Sequence, residues 1–202
     1  MTSYSNNKTK EMVRISLFSA IIILQSWVPF LGNITIPLYP LAITFIHVTV
    51  IVATLYLGTK AGVIVGGVWG VNSLIRAYVM PTSPMYLYVF NSPFVTILPR
   101  LLMPLIVGLI SHQVLKRLTS LRVNAIISGV LGSLLNTVLV LGSIVVFRRN
   151  EYLSIQDASM ETLWTILGGI VLANGVPEMI LAGILTPIIL IALKGPGDQN
   201  KK

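Results

Sequence analysis

Long apolar stretches constrain the fold of this chain more than any other feature of its sequence. Six of them reach or approach the roughly 20 residues that an α-helix needs to cross a lipid bilayer. A helix satisfies its own backbone hydrogen bonds, so it is the expected form of an apolar stretch in lipid. The sequence therefore predicts an all-α, polytopic membrane protein that forms a single domain over residues 1–202. Its six predicted spans are residues 12–31, 40–57, 61–79, 90–110, 123–147 and about 160–193.

The composition agrees with a membrane location. Charged residues make up 10% of the chain and hydrophobic residues 54%, whereas a soluble domain carries about 25% charged residues. The polar N-terminal segment has no small-residue cleavage site after a short apolar core, so the first stretch is predicted to be a span and not a signal peptide. The last stretch is longer than one span. It either tilts or begins at the membrane interface, with Trp164 as an anchor.

The distribution of lysine and arginine predicts the orientation in the membrane. An even number of spans places both termini on one side, and positive charge accumulates in cytoplasmic segments. The opposite loops, 32–39, 80–89 and 148–159, contain only Arg148 and Arg149, close to acidic residues. Both termini are therefore predicted to be cytoplasmic. The basic residues that share their side are Lys8, Lys10, Arg14, Lys60, Lys116, Arg117, Arg122, Lys194, Lys201 and Lys202.

One helical face of the third predicted span is polar. Trp69, Asn72, Ser73 and Arg76 follow each other at i, i+3, i+4 and i+7, which places them on one side of a helix. Two interpretations of Arg76 are open. Its long side chain extends to the nearby outer interface, or it lines a pocket that opens outward. A pocket also accounts for the three polar neighbours of Arg76 on this face, which we call the polar stripe. A guanidinium pairs well with a carboxylate. The stripe is therefore predicted to bind a small polar anion.

Small residues occupy the neighbouring face of the same span. Gly58, Gly62, Gly66 and Gly70 recur every four residues. Such a ladder allows helix backbones to approach closely, so we interpret it as a packing surface.

The other polar residues in the predicted spans have structural and functional interpretations. Arg100 and Glu178 are predicted to form a structural ion pair, with a proton relay or a ligand contact as alternatives. This pairing leaves Arg76 without an acidic partner inside the membrane. Asn91, Asn136 and Gln25 are candidate ligand-binding groups, although interhelical hydrogen bonding is the usual role of such residues.

The sequence lacks the residues of common catalytic and metal sites. There are no cysteines, which excludes disulfides and thiolate sites. The motifs of P-loop nucleotide hydrolysis, zinc proteases and serine hydrolases are absent. The two histidines, His47 and His112, are predicted to lie on different sides of the membrane. We expect a protein that is not an enzyme, with no metal site, no cofactor and no nucleic-acid partner.

Three stretches carry a resemblance to a known family. VWGVNSLIRAYVMPTSP, NSPFVTILPRLLMPLIVG and ANGVPEMILAGILTP resemble the substrate-binding S components of the energy-coupling factor (ECF) vitamin transporters, and the likeness covers nearly the whole chain. It implies a bacterial plasma membrane location and energy supplied by a transmembrane coupling (T) subunit with two cytoplasmic ATPase subunits.

The resemblance also implies roles for particular residues. In the family the vitamin binds near the outer face, beneath the loop that joins the first two spans. In this chain that loop suggests Asn33, Pro37 and Tyr39 as gating residues. Family members carry an Ala-x-x-x-Ala pattern in the first helix that contacts the coupling subunit, and the matching residues here are Ser16 and Ala20.

The resemblance is strongest to the pantothenate-specific S components, through WGVNSLIRAYVMPTSP and the NSP that follows it. It implies Arg76 as the partner of the pantothenate carboxylate. The amide and hydroxyls would then be bound by groups among Trp69, Ser73, Asn91 and Asn136. Riboflavin, pyridoxine and hydroxymethylpyrimidine are the alternative cargoes. Two further alternatives are a proton-driven secondary transporter that uses Arg100 and Glu178, and a membrane assembly protein that transports nothing.

Overall fold

The computed structural model describes residues 2–28, 31–34 and 43–195. Over these residues the chain is helical, apart from one antiparallel ladder of two-residue strands, β1 (Asn33–Ile34) and β2 (Ile43–Thr44). The helices are α1 (Thr2–Trp27), α2 (Ile46–Leu57), α3 (Thr59–Val79), α4 (Pro84–Tyr88), α5 (Pro93–Thr96), α6 (Leu98–Ile110), α7 (Lys116–Leu118), α8 (Leu121–Phe147), α9 (Arg149–Gln156), α10 (Met160–Ile170) and α11 (Val176–Lys194).

Four helical segments of the described chain are long and apolar enough to cross a membrane. Two are the single helices α3 and α8, and two are composite. Residues Pro93–Leu118 run from α5 to α7 and include a π-helical turn at Ser111–Leu115. Residues Met160–Lys194 join α10 to α11 through a second π-helical turn at Val171–Gly175. The expected all-helical membrane architecture is thus present.

The structure differs from the second predicted span, residues 40–57. Residues 40–42 lie outside the described part, and α2 begins only at Ile46. The preceding residues pair as a strand, with Thr44 opposite Asn33, and the Phe45 amide donates to the Gly32 carbonyl at 3.0 Å. This ladder provides the backbone hydrogen bonds that a longer helix would otherwise provide. The 12 residues of α2 extend about 18 Å, which is less than the hydrocarbon core of about 30 Å.

The short helix α2 lies at the centre of the helix bundle. It packs against α1, α3, α6, α8 and α11, and its residues Val50, Ile51 and Ala53 have no exposed surface. The surrounding helices cover it, and its sequence is mostly apolar on every side, as expected for a buried helix, with His47 and Thr54 as buried polar residues. A second apolar cluster surrounds Val95 and Tyr152.

Glycines bring α3 into direct contact with α6. A Cβ atom on Gly66 would collide with the backbone oxygen of Arg100, and one on Gly70 would lie 2.8 Å from the Cα of Ile97. These contacts agree with the predicted packing surface. Gly58 does not belong to it. This residue has φ 102° and forms the turn between α2 and α3, a conformation that glycine adopts without a Cβ penalty.

The predicted loops contain short helices. α4 lies within loop 80–89, and α9 occupies most of loop 148–159. Trp164, in the first turns of α10, is 68% exposed, which suits the predicted anchor at a membrane interface. The final helical segment is continuous from Met160 to Lys194.

Candidate substrate-binding site

A cavity of about 160 Å³ lies where α1 ends and α2 begins. α3 forms one wall of it, and α4, α5 and α6 with their connections form another. Thr44 of β2 and Ile46, the first residue of α2, close a third side. The lining residues are Ser26, Thr44, Ile46, Trp69, Ser73, Arg76, Tyr86, Phe90, Thr96 and Arg100.

The polar stripe predicted on the third span faces this cavity in part. Trp69, Ser73 and Arg76 line it, and Trp69 is only 3% exposed. The Cζ atom of Arg76 lies 5.9 Å from the centre of the Trp27 ring, a cation–π geometry. The buried Nε of Arg76 has no hydrogen-bond partner in the protein. Among the described residues, no carboxylate lies within salt-bridge distance of this guanidinium.

A second guanidinium, that of Arg100, lines the same cavity. Arg100 is 8% exposed, and its Cζ lies 4.9 Å from the centre of the Trp69 ring. Its Nη1 donates to the Val95 carbonyl at 2.7 Å. In a regular helix that carbonyl would accept the amide four residues later, but residue 99 is a proline and has no N–H. The Leu-Pro-Arg sequence therefore frees a carbonyl and provides its replacement donor one residue further on.

The predicted ion pair between Arg100 and Glu178 is wrong. Glu178 Oε1 instead accepts the backbone N–H of Thr44 at 2.7 Å. In the described part of the chain, the single salt bridge within 4 Å joins Arg148 to Glu151 in α9. There the hydrogen bond from Arg148 lowers the pKa of the Glu151 carboxyl. The sequence indicated two opposite charges at similar depth, but not which backbone groups would compete for them.

The cavity is therefore cationic. Its lining contains two guanidinium groups and no carboxylate among the described residues. The aromatic side chains of Trp69, Tyr86 and Phe90 and the hydroxyls of Ser73 and Thr96 complete the surface. Two uncompensated charges in a partly buried site favour an anionic ligand, and the hydroxyl and indole groups provide further hydrogen-bonding partners.

Asn72 belongs to the predicted stripe but does not line the cavity. It is buried, and its Oδ1 accepts the indole N–H of Trp27 at 2.8 Å. Gln25 is engaged in a similar way, because its Oε1 accepts the Thr49 hydroxyl at 2.9 Å. Both amides thus support the position of α1 by joining it to a neighbouring helix, in the usual role of interhelical hydrogen bonds.

Replacing Trp27 with phenylalanine tests this support. An aromatic ring remains at this position, but the Asn72 oxygen loses the indole N–H that donates to it. A buried acceptor without a partner costs about 1–3 kcal/mol, so we expect a lower thermal unfolding midpoint for the purified protein in detergent. Trp164→Phe is the matched control, since its ring is exposed. Equal midpoints for the two variants would contradict the proposed support.

The other two candidate asparagines lie away from the cavity lining. Asn91 donates through Nδ2 to the Leu87 carbonyl at 2.7 Å. Asn136 is buried in α8, and its Oδ1 has no partner within the protein. The structure therefore brings together Trp69, Ser73 and Arg76 at the cavity, whose lining includes neither asparagine.

Comparison with known proteins identifies the family. The family described as "ECF transporter, substrate-specific component" matches residues 10–190. This chain belongs to that family. The S component is thus a transport subunit and a multi-pass protein of the bacterial plasma membrane, as the resemblance implied.

Two relatives resemble this S component over almost their full length. The Pantothenate transporter PanT of Leuconostoc mesenteroides subsp. mesenteroides is 36% identical over 200 residues, which cover 95% of this chain and 93% of the relative. The Pantothenic acid transporter PanT of Lactococcus lactis subsp. cremoris is 30% identical over 200 residues, covering 93% and 95%.

Ser16 and Ala20 of the S component, the predicted contact residues for the coupling subunit, lie on an exposed face of α1. Large apolar side chains surround them on that helix, including Val13, Leu17 and Leu24, which are 56–63% exposed. An exposed apolar face with small residues at its centre suits either lipid or a partner helix. Of the predicted gating residues, Asn33 lies in β1, whereas Pro37 and Tyr39 lie outside the described residues.

Sequence analysis assigned Arg100 a ligand contact only as an alternative to the ion pair, and it did not indicate Tyr86 of α4 or Phe90 as members of the site. Helical phasing from Asn91 to Arg100 was not possible, because prolines interrupt this part of the chain and helix α5 ends at Thr96. The proline immediately before Arg100 was the available signal, since it leaves a carbonyl without its helical donor.

Proposed function

We propose that this S component binds pantothenate and delivers it to an ECF-type importer. The observation that carries the proposal is the cavity with two guanidinium groups and no carboxylate among the described residues. Pantothenate provides a carboxylate that would compensate this charge. The names of the two relatives, both pantothenate transporters, support the same cargo.

The lining suggests how the ligand is held. The carboxylate would lie between Arg76 and Arg100, where charge-assisted hydrogen bonds are about twice as strong as neutral ones. The apolar part of pantothenate would pack against Trp69, and its amide and hydroxyls would bond to Ser73 and neighbouring hydroxyls. Asn136 remains a proposed contact through its unpartnered oxygen, as does Asn91. Asn72 and Gln25 would contribute by supporting α1.

The topology proposed for this function has six spans in a single domain, with both termini in the cytoplasm. α1 would cross the membrane with its apolar portion after Arg14. α2 would cross as a short helix shielded from lipid by its neighbours, with β2 extending it toward the outer face. This orientation places the cavity near the outer surface, where the vitamin arrives. It also follows the excess of positive charge on the opposite side.

The partners proposed are a transmembrane coupling subunit, contacted by α1 at Ser16 and Ala20, and two cytoplasmic ATPase subunits. This chain contains no P-loop motif, so the energy of transport would come from those subunits. A proton relay through Arg100 and Glu178 is the less favoured alternative, because each of these residues is hydrogen-bonded to a different backbone group and not to the other.

Calorimetric titration tests the cargo. The purified S component is titrated with pantothenate and with its alcohol analogue, in which a hydroxymethyl group replaces the carboxylate. We expect pantothenate to bind at least about tenfold more tightly, because a hydrogen bond to a charged group contributes about 1.5–3 kcal/mol. Equal affinities would exclude the arginine clamp. Binding of neither compound, with binding of riboflavin or pyridoxine, would assign another vitamin.

Reconstitution tests the energy source. Vesicles containing the S component alone are compared with vesicles that also contain the coupling subunit and ATPases. We expect ATP-dependent pantothenate uptake only in the second preparation. Uptake by the S component alone that an ionophore abolishes would support the secondary transporter instead.

A further inference from the structure

Glu178 is a buried carboxylate without a cation in contact with it among the described residues. It lies in the first turn of α11 and is 7% exposed. Removing a carboxylate from water is costly unless hydrogen bonds compensate for the lost hydration. Among the described residues, a compensating bond comes from the Thr44 backbone N–H, which donates to Oε1 at 2.7 Å.

The residue that Glu178 holds belongs to the wall of the cavity. Thr44 and Ile46 both line it. Thr44 also ends β2, whose ladder with β1 is only two residue pairs long. A two-residue ladder is too short to be stable by itself. In addition to the start of α2 that follows it, the bond to Glu178 therefore joins Thr44 to a second large element. α11 is that element, and it packs extensively against α8.

We propose that Glu178 is a positioning residue for the substrate site. Its carboxylate oxygen holds the Thr44 amide against α11, and this bond sets the position of the cavity wall formed by Thr44 and Ile46. Glu178 contacts no ligand in this arrangement. It acts through the backbone of the segment that enters α2, so the acceptor oxygen matters and the negative charge matters less.

Thiol labelling tests the position of the wall without any ligand. The chain has no cysteine, so Thr44→Cys introduces a single thiol whose reaction rate with a maleimide reports local opening. This probe is combined with Glu178→Leu, which removes the acceptor, and with Glu178→Gln, which keeps one. We expect labelling to be faster by about tenfold or more with leucine, and within about threefold of the parent rate with glutamine.

Two controls separate local from global effects. Thr186→Val removes a fully buried hydroxyl from the same helix and is expected to leave labelling at position 44 unchanged. A thiol introduced by Ala125→Cys lies in the core of α8, with no exposed surface. Its labelling should not change with Glu178→Leu. An equal rise at both thiols would mean general unfolding and would overturn the proposal, as would parent-like labelling at position 44.

A second measurement rests on the proposed function. Pantothenate affinity should fall about tenfold with Glu178→Leu and by no more than about threefold with Glu178→Gln. If the parent protein does not bind pantothenate, the proposed cargo fails, whereas the labelling rates still decide the role of Glu178. If glutamine weakens binding as much as leucine does, the charge is required and the role of the acceptor oxygen is refuted.

Discussion

Arg76→Gln is expected to lower the affinity for pantothenate by about 10- to 150-fold in a calorimetric titration. Glutamine keeps hydrogen-bond donors but removes the charge, and a hydrogen bond to a charged group contributes about 1.5–3 kcal/mol. Arg100→Gln should have an effect of at least the same size. It removes the second charge from the cavity and also the bond to the Val95 carbonyl. The double variant should show no measurable binding.

The alcohol analogue of pantothenate distinguishes a charge clamp from a general loss of structure. Its affinity should be the same for Arg76→Gln and for the parent protein, because the analogue has no carboxylate to lose. Arg149→Gln removes an exposed arginine from α9, away from the cavity, and is expected to leave pantothenate affinity unchanged. If Arg76→Gln weakens both ligands equally, Arg76 supports the fold and does not bind the carboxylate.

Gly66→Ala is expected to disrupt the packing between α3 and α6. The added methyl group would collide with the backbone oxygen of Arg100, which cannot rotate away as a side chain can. Overpacking of this kind costs about 1–3 kcal/mol, and it would displace Arg100 from the cavity. We expect a lower thermal midpoint together with weaker pantothenate binding, measured on the same purified sample.

Gly168→Ala is the matched control for this variant. Gly168 also lies within a helix, α10, but apart from its chain neighbours and the backbone of its own helix no atom lies within 4 Å of the position of its Cβ. Alanine is favoured over glycine in a helix by about 0.5–1 kcal/mol, so the midpoint should stay the same or rise. A similar fall in both variants would show that the glycines matter through the helix backbone and not through the contact between α3 and α6.

Local periodicity predicted much of the site on α3. Trp69, Ser73 and Arg76 share a helix face at whatever angle the helix packs, because the helical repeat alone determines which residues are adjacent on its surface. The same argument identified the glycine face at Gly66 and Gly70. Periodicity did not show that Asn72, the fourth residue of the polar stripe, contacts α1 and not the cavity. A helix face about 100° wide can contact both.

Partners that are distant in sequence could not be predicted in this way. Arg100 and Glu178 were matched by charge and depth, but each is bonded to a backbone group freed by local geometry. For Arg100 the cause is Pro99, and for Glu178 it is the strand that replaces the first turns of the second predicted span. Such bonds depend on where neighbouring backbones are exposed, which hydropathy does not encode.

The amino-acid sequence determined that this protein is helical, lies in a membrane and belongs to the ECF S components. These properties follow from the length of its apolar stretches and from motifs that are contiguous in the chain. The tertiary structure decided that Arg100 joins Arg76 at one cavity and that Glu178 accepts the backbone N–H of Thr44 in its lining. The physical reason is that buried charges take the nearest available hydrogen-bonding groups, and only the packing of α3, α6 and α11 around α2 determines which groups those are.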